Sequence, residues 1–262
     1  MTALQRNSVK VLGEGQKTLL FAHGYGCDQN MWRFITPAFQ DDYRLVLFDH
    51  VGAGHSDVSA FSRTRYSSLR GYAADVLEIC RELALTGVIF VGHSVSAMIG
   101  ILAAIEEPAR FEKLILIGPS PCYLNEGEYV GGFTRKDIDG LLEALDSNYL
   151  GWSSTMAPVI MGNPERPELG EELTNSFCRS NPEIAKHFAR VTFLSDNRAD
   201  LPKLKTPSLI LQCSEDVIAP RTVGEYLHRN LAHSQLHVLE ATGHCPHMSA
   251  PEETVAAMRT FL

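Results

Sequence analysis

Short apolar runs recur along the 262-residue chain and alternate with longer stretches of helical periodicity. The runs lack strict polar alternation, which is typical of strands that are buried on both faces of a parallel sheet. They predict strands over Thr18–Ala22, Arg44–Phe48, Val88–Val91, Lys113–Ile117, Ser208–Gln212 and Gln235–Leu239, with an additional edge strand over Ser8–Leu12. The stretches between and after them predict helices over Asn30–Phe39, Ser68–Leu83, Ser96–Ile105, Val223–Asn230 and Pro251–Phe261. This alternation indicates a doubly wound α/β fold.

The segment 123–196 interrupts the alternation, because it contains no strand-like run. Its periodicity instead predicts four helices, over Arg135–Asn148, Trp152–Met161, Pro167–Cys178 and Pro182–Leu194. An all-helical insertion cannot join the sheet, and ligands of such folds bind at the carboxyl edge of the strands. We therefore predict a helical cap, residues 123–196, that covers an active site on a core formed by residues 1–122 and 197–262.

Charge and composition narrow the possible partners. The formal net charge is −8 and the basic residues are scattered, which argues against nucleic acid or an anionic membrane as the main partner. The first ten residues lack the apolar core of a signal peptide, and no apolar run approaches the length of a membrane span. The six cysteines are dispersed without a CxxC pair, so we interpret them as reduced and expect a cytoplasmic location.

The densest chemical signal is the stretch Val88–Ala97, where a β-favouring run stops at Gly92-His93-Ser94 and a helical run begins. A sharp strand-to-helix turn lifts a serine hydroxyl out of the sheet and places backbone N–H groups at a helix N-terminus. Taken alone, Ser94 could simply be a helix N-cap. The context of the turn favours a nucleophile.

Another strand-like run ends in a turn with two glycines, His23-Gly24-Tyr25-Gly26. Glycines let the backbone bend and approach a ligand closely. The N–H groups of Tyr25 and Val95 could therefore form an oxyanion hole, although a plain turn would have the same sequence.

Two further loops supply a candidate acid and a candidate base. Asp216 follows a buried strand, where its carboxylate could orient a histidine, and the neighbouring Glu215 is the alternative. His244 follows the last strand and could take a proton from serine, with His247 as its rival. As a metal site, the cluster around Cys245 would need another ligand from elsewhere, so we predict no metal and no cofactor.

The stretch from Asp49 to Asp57 contains two glycines that suggest a phosphate loop. It lacks the third glycine and the Lys-Ser/Thr pair that such loops require. We predict instead a structural turn beneath the site, in which Asp49 and Ser56 satisfy backbone groups.

The chain order Ser94, Asp216, His244, each in a loop after a strand, resembles that of α/β-hydrolases. The chain further resembles the RsbQ type of bacterial hydrolase and stress regulator, to which the plant strigolactone and karrikin receptors are related. This resemblance rests on His23–Gln29, Gly118–Pro121, Tyr129–Phe133 and Gly243–His247. The resemblance implies a mostly parallel sheet with a four-helix cap, the triad Ser94, Asp216 and His244, and an oxyanion hole of Tyr25 and Val95.

The resemblance also implies an apolar pocket between cap and core, which we expect to be lined by Tyr25, Phe133, Trp152, Met156, Phe193 and Ile218. Helical spacing alone is equally consistent with packing of these side chains within the cap. One residue departs from the G-x-S-x-G pattern, because Ser96 stands where the second glycine is usual. Serine is small, so we expect the turn to be preserved.

Two functions follow as hypotheses. The first is a serine hydrolase that acts on a small apolar ester, lactone or enol ether through an acyl-enzyme. The alternative, implied by the resemblance, is a signalling sensor with slow or single-turnover hydrolysis and a PAS-domain phosphatase as partner. Carbon–carbon bond hydrolysis and cofactor-free haloperoxidation would need the same triad, whereas a dehalogenase would need aspartate in place of Ser94.

Overall fold

The computed structural model describes residues 1–262 and contains seven strands: β1 (Lys10–Leu12), β2 (Lys17–Ala22), β3 (Tyr43–Phe48), β4 (Val88–His93), β5 (Phe111–Ile117), β6 (Ser208–Glu215) and β7 (Ser234–Thr242). They form one sheet in the order β1-β3-β2-β4-β5-β6-β7. Only β1 pairs in the antiparallel sense, with β3. The predicted fold class, a mostly parallel sheet flanked by helices, is confirmed.

Ten α-helices accompany the sheet: α1 (Ala3–Arg6), α2 (Leu69–Glu82), α3 (Val95–Glu106), α4 (Arg135–Ser147), α5 (Tyr149–Met161), α6 (Pro167–Arg179), α7 (Pro182–Phe193), α8 (Arg221–Asn230), α9 (Pro246–Ser249) and α10 (Pro251–Arg259). Local sequence sets their starts. Thr134 and Asp137 form a capping box at α4, and Asn181 caps α7 ahead of a proline in the first turn. No helix combines the length and apolar character needed to cross a bilayer.

The α-helix predicted over Asn30–Phe39 is wrong. The structure has two short 3₁₀ segments there, Gln29–Phe34 and Thr36–Ala38. Pro37 lies in the last turn of the predicted helix, where it lacks the N–H for an i−4 hydrogen bond and its ring would clash with the carbonyl of Arg33. The hydrophobic periodicity correctly marks Trp32 and Phe39 as buried side chains, but the backbone that carries them is not α-helical.

The sheet separates two apolar layers. Along β2, Leu19 and Phe21 point into the layer that also holds most of the apolar residues of the α4–α7 segment. Leu20 and Ala22 point to the other side, against the layer that contains α2 and α3. Both faces of the central strands are therefore buried, which explains why these runs lack polar alternation.

Helices α4–α7, which we call the cap, lie over loops that follow β2 and β3. Arg179 at the end of α6 forms an ion pair with Asp28 (3.0 Å). The N–H of Asn181 donates to the carbonyl of Gly52 (3.1 Å), which follows β3. These contacts place the cap on the carboxyl edge of the strands, where the sequence predicts the active site.

Candidate active site

Ser94 lies at the apex of the turn between β4 and α3, with φ +55° and ψ −124°. A positive φ is costly for a residue with a side chain and is typical of functional turns. The close packing of strand and helix enforces the turn, because a Cβ at Gly92 would lie 2.6 Å from the carbonyl oxygen of Ser96. The N–H of Ser94 donates to the carbonyl of Ile117 (2.8 Å), which anchors the turn to β5.

The structure brings Ser94, His244 and Asp216 into one hydrogen-bonded chain. Ser94 Oγ lies 2.7 Å from His244 Nε2, and His244 Nδ1 lies 2.7 Å from Asp216 Oδ2. All three residues are buried. In this arrangement the serine hydroxyl donates to Nε2 while the Nδ1–H donates to the carboxylate, so His244 is oriented to accept the serine proton.

The second carboxylate oxygen of Asp216 accepts the N–H groups of Ile218 (2.8 Å) and Ala219 (3.1 Å). These bonds fix the carboxylate and use its remaining acceptor capacity within the loop after β6. Glu215, the alternative acid, is exposed to solvent and makes no hydrogen bond to His244.

His247, the rival base, is buried away from the nucleophile. Its ring packs against Trp32 with centroids 4.7 Å apart, and neither ring nitrogen has a hydrogen-bond partner. Burial lowers the pKa of His247 to about 3, because the apolar surroundings disfavour the charged ring. A neutral ring without contact to Ser94 leaves His244 as the candidate base.

The turn after β2 lies directly beside the nucleophile. A Cβ at Gly24 would stand 2.4 Å from His93 Nδ1 and 3.3 Å from the Cβ of Ser94, so only glycine permits this approach. The N–H of Tyr25 donates to no backbone carbonyl, and Val95 is the first residue of α3, whose N–H has no partner within the helix. The turn and the start of α3 thus offer unpaired donors beside Ser94 for a developing oxyanion.

Ser96, which departs from the usual glycine, links three elements behind the nucleophile. Its Oγ lies 2.5 Å from the carbonyl oxygen of His23 and 2.7 Å from His50 Nε2. The hydroxyl has one proton, which it donates to the carbonyl, so His50 must donate its Nε2–H to Ser96. Burial lowers the pKa of His50 well below its usual range, which keeps the ring neutral and this chain of bonds intact. The chain ties the end of β3 to the turn that carries Tyr25.

We predict that Ser96→Ala lowers the free energy of unfolding by about 1–3 kcal/mol, because it leaves the His23 carbonyl and the His50 N–H buried without partners. Urea unfolding followed by circular dichroism measures this change. Ser154→Ala is the matched control, since that serine is exposed on α5 and its substitution should shift stability by less than about 0.5 kcal/mol. Equal midpoints for the two variants would contradict the assignment.

A narrow cavity of about 30 Å³ lies beside Ser94 between the cap and the sheet. Most of its lining is apolar. Four of the six residues expected in the lining contribute to it, namely Tyr25, Trp152, Phe193 and Ile218. The remaining lining residues are Cys27, His93, Ser94, Tyr123, Ile160, Leu173, Phe177, Thr192, His244 and Cys245.

Phe133 and Met156 do not line this cavity, which corrects the expectation for both. They lie along a separate groove on the outer side of the cap, between α4 and α5. The ring of Phe133 contacts that of Phe193 (6.1 Å between centroids), a residue that does reach the cavity. Both side chains pack against the apolar cluster of the cap, but the sequence does not determine whether they reach the cavity.

Tyr123 and Thr192 line the cavity and were missed in the sequence. Tyr123 had a usable signal, because it follows β5 at the same sheet edge as Ser94, Asp216 and His244. Burial raises the pKa of Tyr123 to about 12, so its hydroxyl stays protonated. Thr192 had no such signal, since it lies within a helical run whose orientation the sequence leaves open.

His93, Cys245 and His247 place three potential metal-ligand atoms within 4.8 Å of one another. One of these side chains already has a structural role, because His93 Nε2 bonds the carbonyl of His244 (2.8 Å). Its other ring nitrogen faces the backbone of Gly24 at close range. We assign the group to packing beneath the nucleophile.

The turn after β3 is structural, as predicted. Asp49 accepts the backbone N–H groups of Gln29 (2.8 Å) and His55 (2.9 Å). Ser56 Oγ accepts the N–H of Gly52 (3.0 Å) and donates to the carbonyl of Ala53 (2.6 Å). These bonds occupy the polar groups that a phosphate ligand would need.

Comparison with known proteins agrees with this geometry. A family model described as "Alpha/beta hydrolase family" matches residues 19–257. The chain is 40% identical to karrikin insensitive 2 receptor CA of Petunia hybrida over 97% of its length and 94% of the receptor. It is 38% identical to strigolactone esterase D14 of Arabidopsis thaliana, over 99% and 97% of the two chains. Among solved structures, a hydrolase from Oleispira antarctica superposes with a TM-score of 0.96 at 44% identity, covering 99% of this chain and 95% of that one.

Proposed function

Because this chain belongs to the α/β-hydrolase family, we propose that it is a serine hydrolase of small, largely apolar esters, lactones or enol ethers. The observation that carries the proposal is the hydrogen-bonded chain Ser94–His244–Asp216 facing a mostly apolar cavity. Two relatives support the reaction class, since one is named a strigolactone esterase and another a hydrolase.

In the proposed reaction Ser94 Oγ attacks the substrate carbonyl while His244 Nε2 takes the hydroxyl proton. Asp216 holds the ring and stabilises its positive charge. The N–H groups of Tyr25 and Val95 donate to the oxyanion of the tetrahedral intermediate. His244 then gives the proton to the leaving oxygen, which leaves an acyl-enzyme on Ser94. A water molecule, deprotonated by His244, attacks this ester and releases the acid.

The lining of the cavity supports a small apolar substrate. Aromatic side chains from the cap and from the turn after β2 surround Ser94, and the triad is almost fully shielded from water. Such surroundings favour hydrophobic acyl or alcohol groups and disfavour charged ones, because burial of an unpaired charge is expensive.

A second candidate function is ligand perception with slow or single turnover. The observation that favours it is the 40% identity to a protein named as a receptor, over nearly the full length of both chains. In this candidate the acyl or ligand-derived adduct on Ser94 persists, and the cap is the surface read by a partner. The PAS-domain phosphatase implied by the RsbQ resemblance belongs to this candidate.

We expect multiple-turnover hydrolysis in a panel of short-chain 4-nitrophenyl esters and butenolide lactones, measured by product release at substrate excess. Intact-mass spectrometry of the same reactions should show at most a transient acyl adduct. Product limited to one equivalent per protein, with a lasting mass increase, would favour the receptor candidate. Absence of both product and adduct across the panel would contradict the hydrolase proposal.

A further inference from the structure

Two hydroxyl groups in the apolar cavity have no hydrogen-bond partner. Tyr25 Oη and Thr192 Oγ1 are both buried, and both residues line the cavity that contains Ser94. Buried polar groups nearly always have hydrogen-bond partners in native proteins, so two hydroxyls without partners inside a ligand cavity require an explanation. We propose that they form a polar subsite that binds a second oxygen of the substrate, at a distance from the reacting carbonyl.

The hydroxyl of Thr192 behaves differently from its neighbours in the cap. Helical serine and threonine side chains usually donate to the carbonyl four residues earlier. Four cap hydroxyls do so at 2.8–3.0 Å, those of Ser153, Ser154, Thr155 and Thr174. Thr192 Oγ1 makes no such bond, although Thr192 lies in the last turn of α7, ten residues after the first. Its hydroxyl is therefore free for a ligand.

Among the buried tyrosines, the hydroxyls of Tyr25 and Tyr72 have no partner, and of these two residues only Tyr25 lines the cavity. Three other buried tyrosines are paired. Tyr66 donates to Asp75 (2.9 Å), Tyr129 to the carbonyl of Cys122 (2.6 Å) and Tyr149 to that of Phe177 (2.8 Å). Burial raises the pKa of Tyr25 well above its usual range, because the apolar surroundings disfavour the phenolate. The Tyr25 hydroxyl is therefore a protonated hydrogen-bond donor that has no acceptor within the protein.

Shared aromatic neighbours place the two hydroxyl-bearing residues on one side of the cavity. The ring of Tyr25 packs against Phe188 (5.8 Å between centroids) and Phe193 (6.4 Å). Thr192 lies one helical turn after Phe188 and directly before Phe193. Both hydroxyl-bearing residues therefore stand among the aromatic side chains that line the cavity.

The subsite deepens the proposed hydrolase function and rests on it, because it defines the substrate class. The substrate should carry, besides its ester or lactone carbonyl, an uncharged acceptor such as an ether, ketone or second ester oxygen. A ligand without that oxygen leaves two desolvated hydroxyls unpaired. Such mismatches are discriminated by about tenfold or more.

Matched ester pairs test the subsite from both sides of the scissile bond. The acyl pair is 4-nitrophenyl pentanoate and 4-nitrophenyl 3-methoxypropanoate, and the alcohol pair is pentyl acetate and 2-ethoxyethyl acetate. After normalisation to base-catalysed rates, we expect kcat/KM to favour the oxygenated member of one pair. Tyr25→Phe and Thr192→Val should each reduce that preference by about tenfold. The control Thr155→Val, exposed on the cap, should retain the wild-type preference.

A binding measurement separates failure of the subsite from failure of the proposed function. Thermal unfolding of Ser94→Ala protein with each unreacted ester should show a larger rise in Tm with the oxygenated member, and this difference should vanish when Tyr25→Phe is added. Hydrolysis of all four esters without preference would overturn the subsite alone. If no ester is hydrolysed by wild type, the hydrolase proposal fails, and the Tm difference still decides the subsite.

Discussion

Ser94→Ala should lower kcat/KM for the best ester of the panel by about 10⁴-fold or more. The Ser94 hydroxyl is the nucleophile that is hydrogen-bonded to His244. When it is removed, His244 has no side-chain nucleophile to deprotonate. Residual hydrolysis would come from water polarised in the oxyanion hole. The effect is measured as the initial rate with a chromogenic ester, at an enzyme concentration high enough to detect this residual hydrolysis.

The fold should survive this substitution. The bond of Ser94 Oγ to His244 belongs to the site and not to the backbone scaffold, and alanine adopts the positive φ of the turn at about the same cost as serine. The melting temperature should therefore change little. Ser154→Ala, on the outer surface of α5, should retain wild-type rates. Retention of more than a tenth of the activity by Ser94→Ala would contradict its role as nucleophile.

Combination with His244→Ala gives a sharper outcome. Groups that act as one unit are strongly non-additive, so the double variant should be about as slow as either single variant. Multiplied losses would mean that Ser94 and His244 act in separate steps, which the 2.7 Å hydrogen bond between them does not support.

The sequence could predict that Ser94, Asp216 and His244 lie together because each follows a strand. Parallel strands bring their carboxyl ends to one edge, so residues far apart in the chain converge there whatever the details of packing. The same reasoning could have found Tyr123, which follows β5. The convergence of these residues thus depends on patterns that are local in the sequence.

The lining of the cavity depends on packing depth, which the sequence does not contain. Met156 lies one helical turn from Trp152, yet only Trp152 reaches the cavity. Ser96 illustrates a second limit. Its hydroxyl bridges His23 and His50, which are separated by a whole strand, and no spacing rule connects three such positions.

The loop that carries His244 is fastened directly to the cap. The N–H of His244 donates to the carbonyl of Ile160 near the end of α5 (2.9 Å). The N–H of Gly243 donates to the backbone carbonyl of Glu215 (2.8 Å). A Cβ at Gly243, whose φ is +83°, would overlap the carbonyl oxygen of Met161. Cap and base therefore share one close backbone contact, in which glycine is required for both space and conformation.

Gly243→Ala should consequently lower kcat/KM by about 100-fold and the free energy of unfolding by about 2 kcal/mol or more. Relief of the overlap must displace either the end of α5 or the His244 backbone, and a shift of about 1 Å is enough to misalign Nε2 with Ser94. Ester kinetics and urea unfolding on the same preparation measure both effects.

Gly140→Ala is the matched control, because the Cβ that it adds on the exposed helix α4 meets nothing within 4 Å. The control should gain about 0.5–1 kcal/mol with unchanged rates. Loss of stability in Gly243→Ala with wild-type kcat/KM would show that the contact supports the fold without positioning His244.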